Sequence, residues 1–302
     1  MLGYSWRNPV KYSWLILLAA AVGVFGLLHA GVARAQVISS PTVPHYLYAA
    51  SGNGPVTLYI HDIDNGFSLV NQITLNVPTQ TYDTRGMVAS AATGMLYVSY
   101  GCFADPGNTT YRCNGLGGYL IKYNLLTNQM VWVKNYPFGV DSFSITPDGQ
   151  KIYMPVGENP ASTLWKIIDA ATGDVLGSID SGEPGPHNTI VSNSGAHVYL
   201  GPTNNISPSH KSPYLVEVNT ADNSIIQRIG PVSGTSVRPF TIDSQERWAF
   251  INVLTMLGFQ VGDIATGKIL YTVSVAGFSG GWSHGLTLSP DDREIYVVDA
   301  PQ

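Results

Sequence analysis

The sequence predicts an all-β fold, a β-propeller of four-stranded blades, and three observations predict it. Composition is the first: 32 Gly and 19 Pro stand beside 17 Tyr and 6 Trp in 302 residues, a mixture suited to short strands joined by tight turns. The second is a repeat in which a small residue or Asp is followed seven positions later by an aromatic. It runs Ser90 to Tyr97, Thr146 to Tyr153, Ser192 to Tyr199, Asp243 to Phe250 and Ser289 to Tyr296, with steps of 56, 46, 51 and 46 between the aromatics. The third is a ladder of Asp or Asn followed four positions on by Gly or Asn: Asp62/Gly66, Asn124/Asn128, Asp169/Gly173, Asn219/Asn223 and Asp263/Gly267. Two hairpins per 45 to 55 residues is the sequence signature of a propeller blade.

Taken in order, the chain begins with a leader. Arg7 and Lys11 precede an apolar run from Trp14 to Leu28, and Ala33-Arg34-Ala35 follows it. That is the three-part pattern of a secretory signal peptide over residues 1–35. The run is about 15 residues, short for the roughly 20 of a membrane span, so cleavage is favoured over a retained anchor. Residues 36–302 are then the propeller domain. Tyr48 in HYLYAASG gives a first unit 49 residues before Tyr97.

Each later unit except the last supplies an inner hairpin around its first anchor and an outer hairpin around its Asp/Asn turn; the last supplies the inner hairpin alone. Asp or Asn starts a turn by accepting a bond from backbone ahead of it, and Gly or Asn accepts the left-handed conformation that closes it. Alternating residues on either side, as in LWKIIDAATGDVLGSI, read as two strands. One small twisted sheet cannot bury both faces alone, so successive blades are expected to pack face to face around an axis. A β-sandwich has no reason to repeat at a fixed period, and the coils of a parallel β-helix are shorter.

In the second unit Cys102 and Cys113 bracket the insertion CFADPGNTTYRC. Export and an even cysteine count favour a disulfide across it over two free thiols, a closure worth roughly 3 kcal/mol in the chain-entropy model.

The strings SITPDGQKIYMPVG, STLWKIIDAATGDVLGSI and LTLSPDDREIYVVDA resemble the YVTN-type repeat of exported bacterial propellers. That grouping includes proteins with the fold of the quinoprotein amine dehydrogenase β subunit and lactonase-like propellers. The resemblance covers residues 45 to 302 and implies a seven-bladed ring in the periplasm or outside the cell. A seven-bladed ring needs about 350 residues at roughly 50 per blade, whereas 302 less the 35-residue leader is 267. Five complete blades and part of a sixth are therefore expected, as in a fragment of a longer ring.

Charge narrows the function. The formal net charge is -5 with only 12% charged residues, and nucleic-acid binding requires a basic face. No CxxCH, P-loop or dinucleotide fingerprint occurs, so no cofactor is expected. Counting five residues back from each first anchor reaches Arg85, Asp141, His187, Arg238 and His284. All five are ionisable, and on successive blades they would gather at the mouth of the axial channel. Such a ring either solvates the channel and bonds neighbouring blades, or binds a small anionic ligand with Arg as a bidentate clamp.

The leading functional expectation is an exported scaffold that binds a ligand or a protein partner. A lactonase-like hydrolase, with His187, His284 or Asp141 as the catalytic group, is the alternative that the resemblance implies, and a propeller subunit of a periplasmic dehydrogenase or electron-transfer system is the second. No metal site is expected, because His45, His61, His197 and His210 have no companion at ligand spacing.

Overall fold

In the computed structural model, the described residues are 45–51, 56–75, 84–101, 117–157, 161–203, 211–234, 236–254, 256–275 and 283–299. All of them belong to one compact unit, Pro44–Gln302. The leader and the Cys102/Cys113 bridge lie outside the described residues.

Among the described residues every regular element is a strand, and each sheet is an antiparallel meander. The first sheet holds β1 (Tyr46–Ala50), β2 (Thr57–Asp62) and β3 (Ser68–Thr74). Four complete blades follow: β4 (Thr84–Ser90) to β7 (Gln129–Tyr136) through β5 (Met95–Gly101) and β6 (Gly118–Asn124); then β8 (Ser144–Ile145), β9 (Lys151–Pro155), β10 (Leu164–Asp169) and β11 (Val175–Asp180). The fourth blade is β12 (Pro186–Val191), β13 (His197–Pro202), β14 (Leu215–Asn219) and β15 (Ile225–Ile229), and the fifth is β16 (Val237–Ile242), β17 (Trp248–Val253), β18 (Gly258–Asp263) and β19 (Lys268–Ser274). A last pair, β20 (Ser283–Leu288) and β21 (Ile295–Asp299), begins a sixth. The protein is thus a β-propeller. Among the described residues, four blades show all four strands and the first shows three, in keeping with the expected blade count. Tyr48 sits on β1, the first described strand of its sheet, where later anchors sit on a second strand.

The Asp/Asn ladder forms the outer turn of each blade as its chemistry requires. Asp62, Asn124, Asp169 and Asn219 each accept, through Oδ1, the backbone N–H two residues ahead, and Asp263 that of Thr266. The closing residues Gly66, Asn128, Gly173, Asn223 and Gly267 all take φ between 54° and 77°. Side chain and backbone therefore specify the same turn five times over.

The core lies between blades. One cluster joins Leu58 of β2 to Val98 of β5; the next joins Tyr97 to Ile152 and Ile168; a third joins Tyr153 and Trp165 to Val198 and Val216; a fourth joins Tyr199 to Val237 and Ile251. The inner strands touch in succession, β4 to β8, β8 to β12, β12 to β16 and β16 to β20.

The aromatic anchors cross these joints. Tyr97 Oη donates to Ala170 O (3.1 Å) and Tyr153 Oη to Asn223 Oδ1 (3.4 Å), both in the outer turn of the following blade. Burial, with a smaller push from the Asp169 charge, raises the Tyr97 phenol to about 12, so it stays protonated and donates at any working pH. Tyr296, on the last described strand, is 55% exposed and turns to Glu294 instead.

Trp165 is fully buried and its Nε1 donates to Thr189 Oγ1 of the next blade (2.9 Å). Trp165→Ala is expected to lower unfolding stability by about 3–5 kcal/mol, measured by urea titration followed by circular dichroism. Leu126→Ala, at an 81% exposed turn, should stay within about 0.5 kcal/mol of the parent.

Candidate functional site

The inner strands are irregular at the positions where the sequence places its five ionisable residues. In β4 the register passes from Thr84↔Tyr100 to Gly86↔Ser99 and leaves Arg85 as the extra residue. In β12 it passes from Pro186↔Pro202 to Asn188↔Gly201, leaving His187. In β16 Arg238 and Pro239 fall between Val237↔Val253 and Phe240↔Ile251, and in β20 His284 and Gly285 fall between Ser283↔Asp299 and Leu286↔Val297. Asp141 precedes the two-residue strand β8, next to Ser142, which bridges in parallel to Asn188 of β12. A β-bulge bends its strand and re-aims the side chain of the extra residue. Four of the five are aimed in this way, an arrangement no residue spacing reveals.

Arg85 and Asp141 are brought into contact. Arg85 Nη2 lies 3.1 Å from Asp141 Oδ1 and 3.2 Å from Oδ2, and Asp141 is 1% exposed. Around this pair the second and third blades are laced together. Ser142 donates its backbone N–H to Asp141 Oδ1 (2.9 Å) and its hydroxyl to Arg85 O (3.1 Å), and Ser99 Oγ donates to Asp141 O (3.0 Å). A Cβ at Gly86 would come within 3.0 Å of Ser142 Cα, so the strands approach as far as glycine allows.

His187, Arg238 and His284 hold the equivalent position on the next three blades. The first two are buried, and Arg238 Nη1 donates to Thr203 Oγ1 (3.1 Å) just after β13. His284 is exposed. Its neighbour Gly285 donates its N–H to Asn252 Oδ1 of the preceding blade (3.0 Å). Ser99 and Asn252 both stand two residues after their anchors, so the same seam recurs at two joints.

A second constellation lies at the opposite end of the inner strands, beside the turn after β16. His197 Nδ1 is 2.6 Å from Glu246 Oε2 and 3.7 Å from Glu217 Oε1. Tyr199 Oη is 3.0 Å from Glu246 Oε2 and 3.2 Å from Glu217 Oε1. Register explains the grouping. Tyr199 pairs with Glu217 across β13 and β14, Glu217 pairs with Gln227 across β14 and β15, and His197 is two residues before Tyr199 on the same face. Glu246 arrives from the next blade at φ +53°.

Gln227 Nε2 donates to Glu217 Oε2 (2.7 Å) and Ser194 Oγ to Glu246 Oε1 (2.8 Å), which fixes both carboxylates. Burial alone would raise the Glu246 carboxyl, but bonds from His197, Ser194 and Tyr199 outweigh it and hold it below its usual range. Burial, followed by the two glutamate charges, drives the Tyr199 phenol far above its ordinary value.

The expectation that His197 has no ligand-spaced companion is therefore corrected. Its companions lie 20 and 49 residues away in sequence and are assembled by strand pairing and blade packing. His197, Glu217 and Glu246 offer ligand atoms all within 4.8 Å of one another. Aligning the repeats carries the signal. The anchor's cross-strand partner is Lys122, Ile167 and Val261 in other blades, and a glutamate in this one. Elsewhere the histidines are ordinary: His45 pairs with exposed Asp64, and His61 Nδ1 meets Phe67 O at 2.9 Å. His210 lies outside the described residues.

No family model matches the chain, and no curated protein matches it. Among solved structures it is similar to a hydrazine synthase of Kuenenia stuttgartiensis, with a TM-score of 0.60 and 13% identity over 80% of this chain and 67% of that one. At that identity the likeness bears on the propeller fold alone.

Asp141→Ala leaves the largely buried Arg85 without this carboxylate and is expected to cost about 3 kcal/mol or more. Adding Arg85→Met should recover part of that loss. A double-mutant cycle in urea should return a coupling of about 0.5–3 kcal/mol.

Proposed function

We propose that the chain is an exported propeller scaffold that holds a small anionic ligand, or an acidic group of a protein partner, at the starts of its inner strands. The observation that carries this reading is the set of bulged residues. Arg85, His187, Arg238 and His284 are cationic or able to become so, against the single acid Asp141, in a chain whose formal charge is -5. Guanidinium and imidazole donors on successive strands suit a carboxylate, which accepts two parallel bonds from one arginine.

Holding is favoured over turnover by burial. Asp141, the one acid of the set, is 1% exposed and already ion-paired to Arg85, whereas a general base needs access to the proton it removes. His284 is the exposed member of the set and is the group a ligand meets first. In this reading the leader delivers the chain to the periplasm or the exterior, where Cys102 and Cys113 oxidise. The YVTN-type resemblance supports that placement.

Calorimetric titration with a panel of small mono- and dicarboxylates is expected to find saturable binding. His284→Ala or Arg85→Lys, which keeps the charge opposite Asp141 but removes the bidentate fork, should weaken it at least about tenfold, the equivalent of one lost charge-assisted contact, with the circular dichroism spectrum unchanged. Binding that ignores both substitutions, or no binding across the panel, overturns the proposal. Lactone hydrolysis abolished by His284→Ala replaces it with the hydrolase reading.

A further inference from the structure

From the constellation at the joint between the fourth and fifth blades, we infer that His197, Glu217 and Glu246 form a site for a divalent first-row transition-metal ion, Zn2+ or Mn2+, that clamps these two blades. The site is independent of the anion-binding reading. It lies at the other end of the inner strands, since Arg238 opens β16 and Glu246 sits in the turn after β16 closes.

Charge is the first argument. Glu217 is 4% exposed and faces a second carboxylate, and the ion pairs that both glutamates make run to His197. Even with the imidazole protonated, two negative charges meet one positive charge in a largely buried place. A divalent cation offsets both carboxylates.

Geometry is the second. Tetrahedral Zn2+ with ligand bonds of about 2.0–2.2 Å separates its ligand atoms by roughly 3.3 Å. The observed 2.6 Å and 3.7 Å from His197 Nδ1 to the two carboxylate oxygens straddle that value. Sub-ångström side-chain shifts suffice, the ion replacing the proton shared between Nδ1 and Glu246 Oε2. Gln227 and Ser194 hold the far oxygen of each carboxylate, which turns Glu217 Oε1 and Glu246 Oε2 toward the imidazole. Such supporting bonds orient metal ligands. Water or the Tyr199 hydroxyl completes the coordination.

The repeat supplies an internal control. The residue two before the anchor is Met95, Lys151 and Trp248 in the other complete blades, and the position of Glu246 is Gly149 and Gly195 in the two blades before it. The same joint folds elsewhere without these three residues, so blade packing does not require them. An imidazole ligand selects transition metals over Ca2+ and Mg2+, which take oxygen ligands.

The test uses the whole chain, stripped with a chelator and titrated calorimetrically with Zn2+, Mn2+ and Ca2+. One Zn2+ site per chain is expected, with a raised thermal midpoint, and Co2+ in its place should give the visible absorption bands of a tetrahedral ion. His197→Ala and, separately, Glu246→Gln should weaken Zn2+ binding at least about 100-fold and abolish the thermal shift. His61→Ala, remote from the cluster, should change neither. Glu246→Gln keeps the turn residue's shape, so it serves if His197→Ala does not fold. Absence of a saturable site, a site that survives Glu246→Gln, or equal affinity for Ca2+ overturns the inference.

Discussion

The fold depends on one repeated constraint: the tyrosine on the second strand of the second, third and fourth blades must be buried by the blade that follows. Tyr97, Tyr153 and Tyr199 are fully buried, each within the apolar cluster of its own joint. The phenol ends are polar and would be costly to bury unpaired, so each finds an acceptor at its joint. Two choose the outer turn of the next blade and Tyr199 chooses carboxylates. A blade is therefore incomplete without its neighbour, which is why the core is distributed among joints and not centred in any sheet.

Both candidate sites are consequences of the same packing. Blades that approach closely enough to bury an aromatic bring their inner strands within hydrogen-bonding range. The bulges at Arg85, His187, Arg238 and His284 are where those strands are bent. Close approach is visible at Gly86 and in the bonds from Ser99 and to Asn252. At the other end of the strands the turn of the fifth blade reaches the face of the fourth, and a glutamate there meets His197. The first seam gathers Arg85, His187, Arg238 and His284 about Asp141, and the second gathers Glu217 and Glu246 about His197.

Legibility follows the range of the interaction concerned. The Asp/Asn ladder was readable because its bonds span two or three residues, and all five turns carry the expected left-handed closing residue. The positions of Arg85, Asp141, His187, Arg238 and His284 at inner-strand starts were readable from the constant offset to the anchors. Their burial and bulged backbone were not, because both depend on how closely the adjacent blade packs. His197 illustrates the limit most clearly, since its nearest sequence neighbours offer no ligand and its partners come from another strand and another blade.

By itself, the sequence determined the all-β class, the blade repeat and the chemistry of each outer turn, since these rest on local backbone preference and on the alternation of buried and exposed side chains. Only the tertiary structure decided which anchor reaches which acceptor, that Arg85 and Asp141 pair, and that two glutamates converge on one histidine. Those outcomes depend on strand register and on the approach of neighbouring blades, where shifts of an ångström make or break a contact, and no periodicity along the chain encodes distances that small.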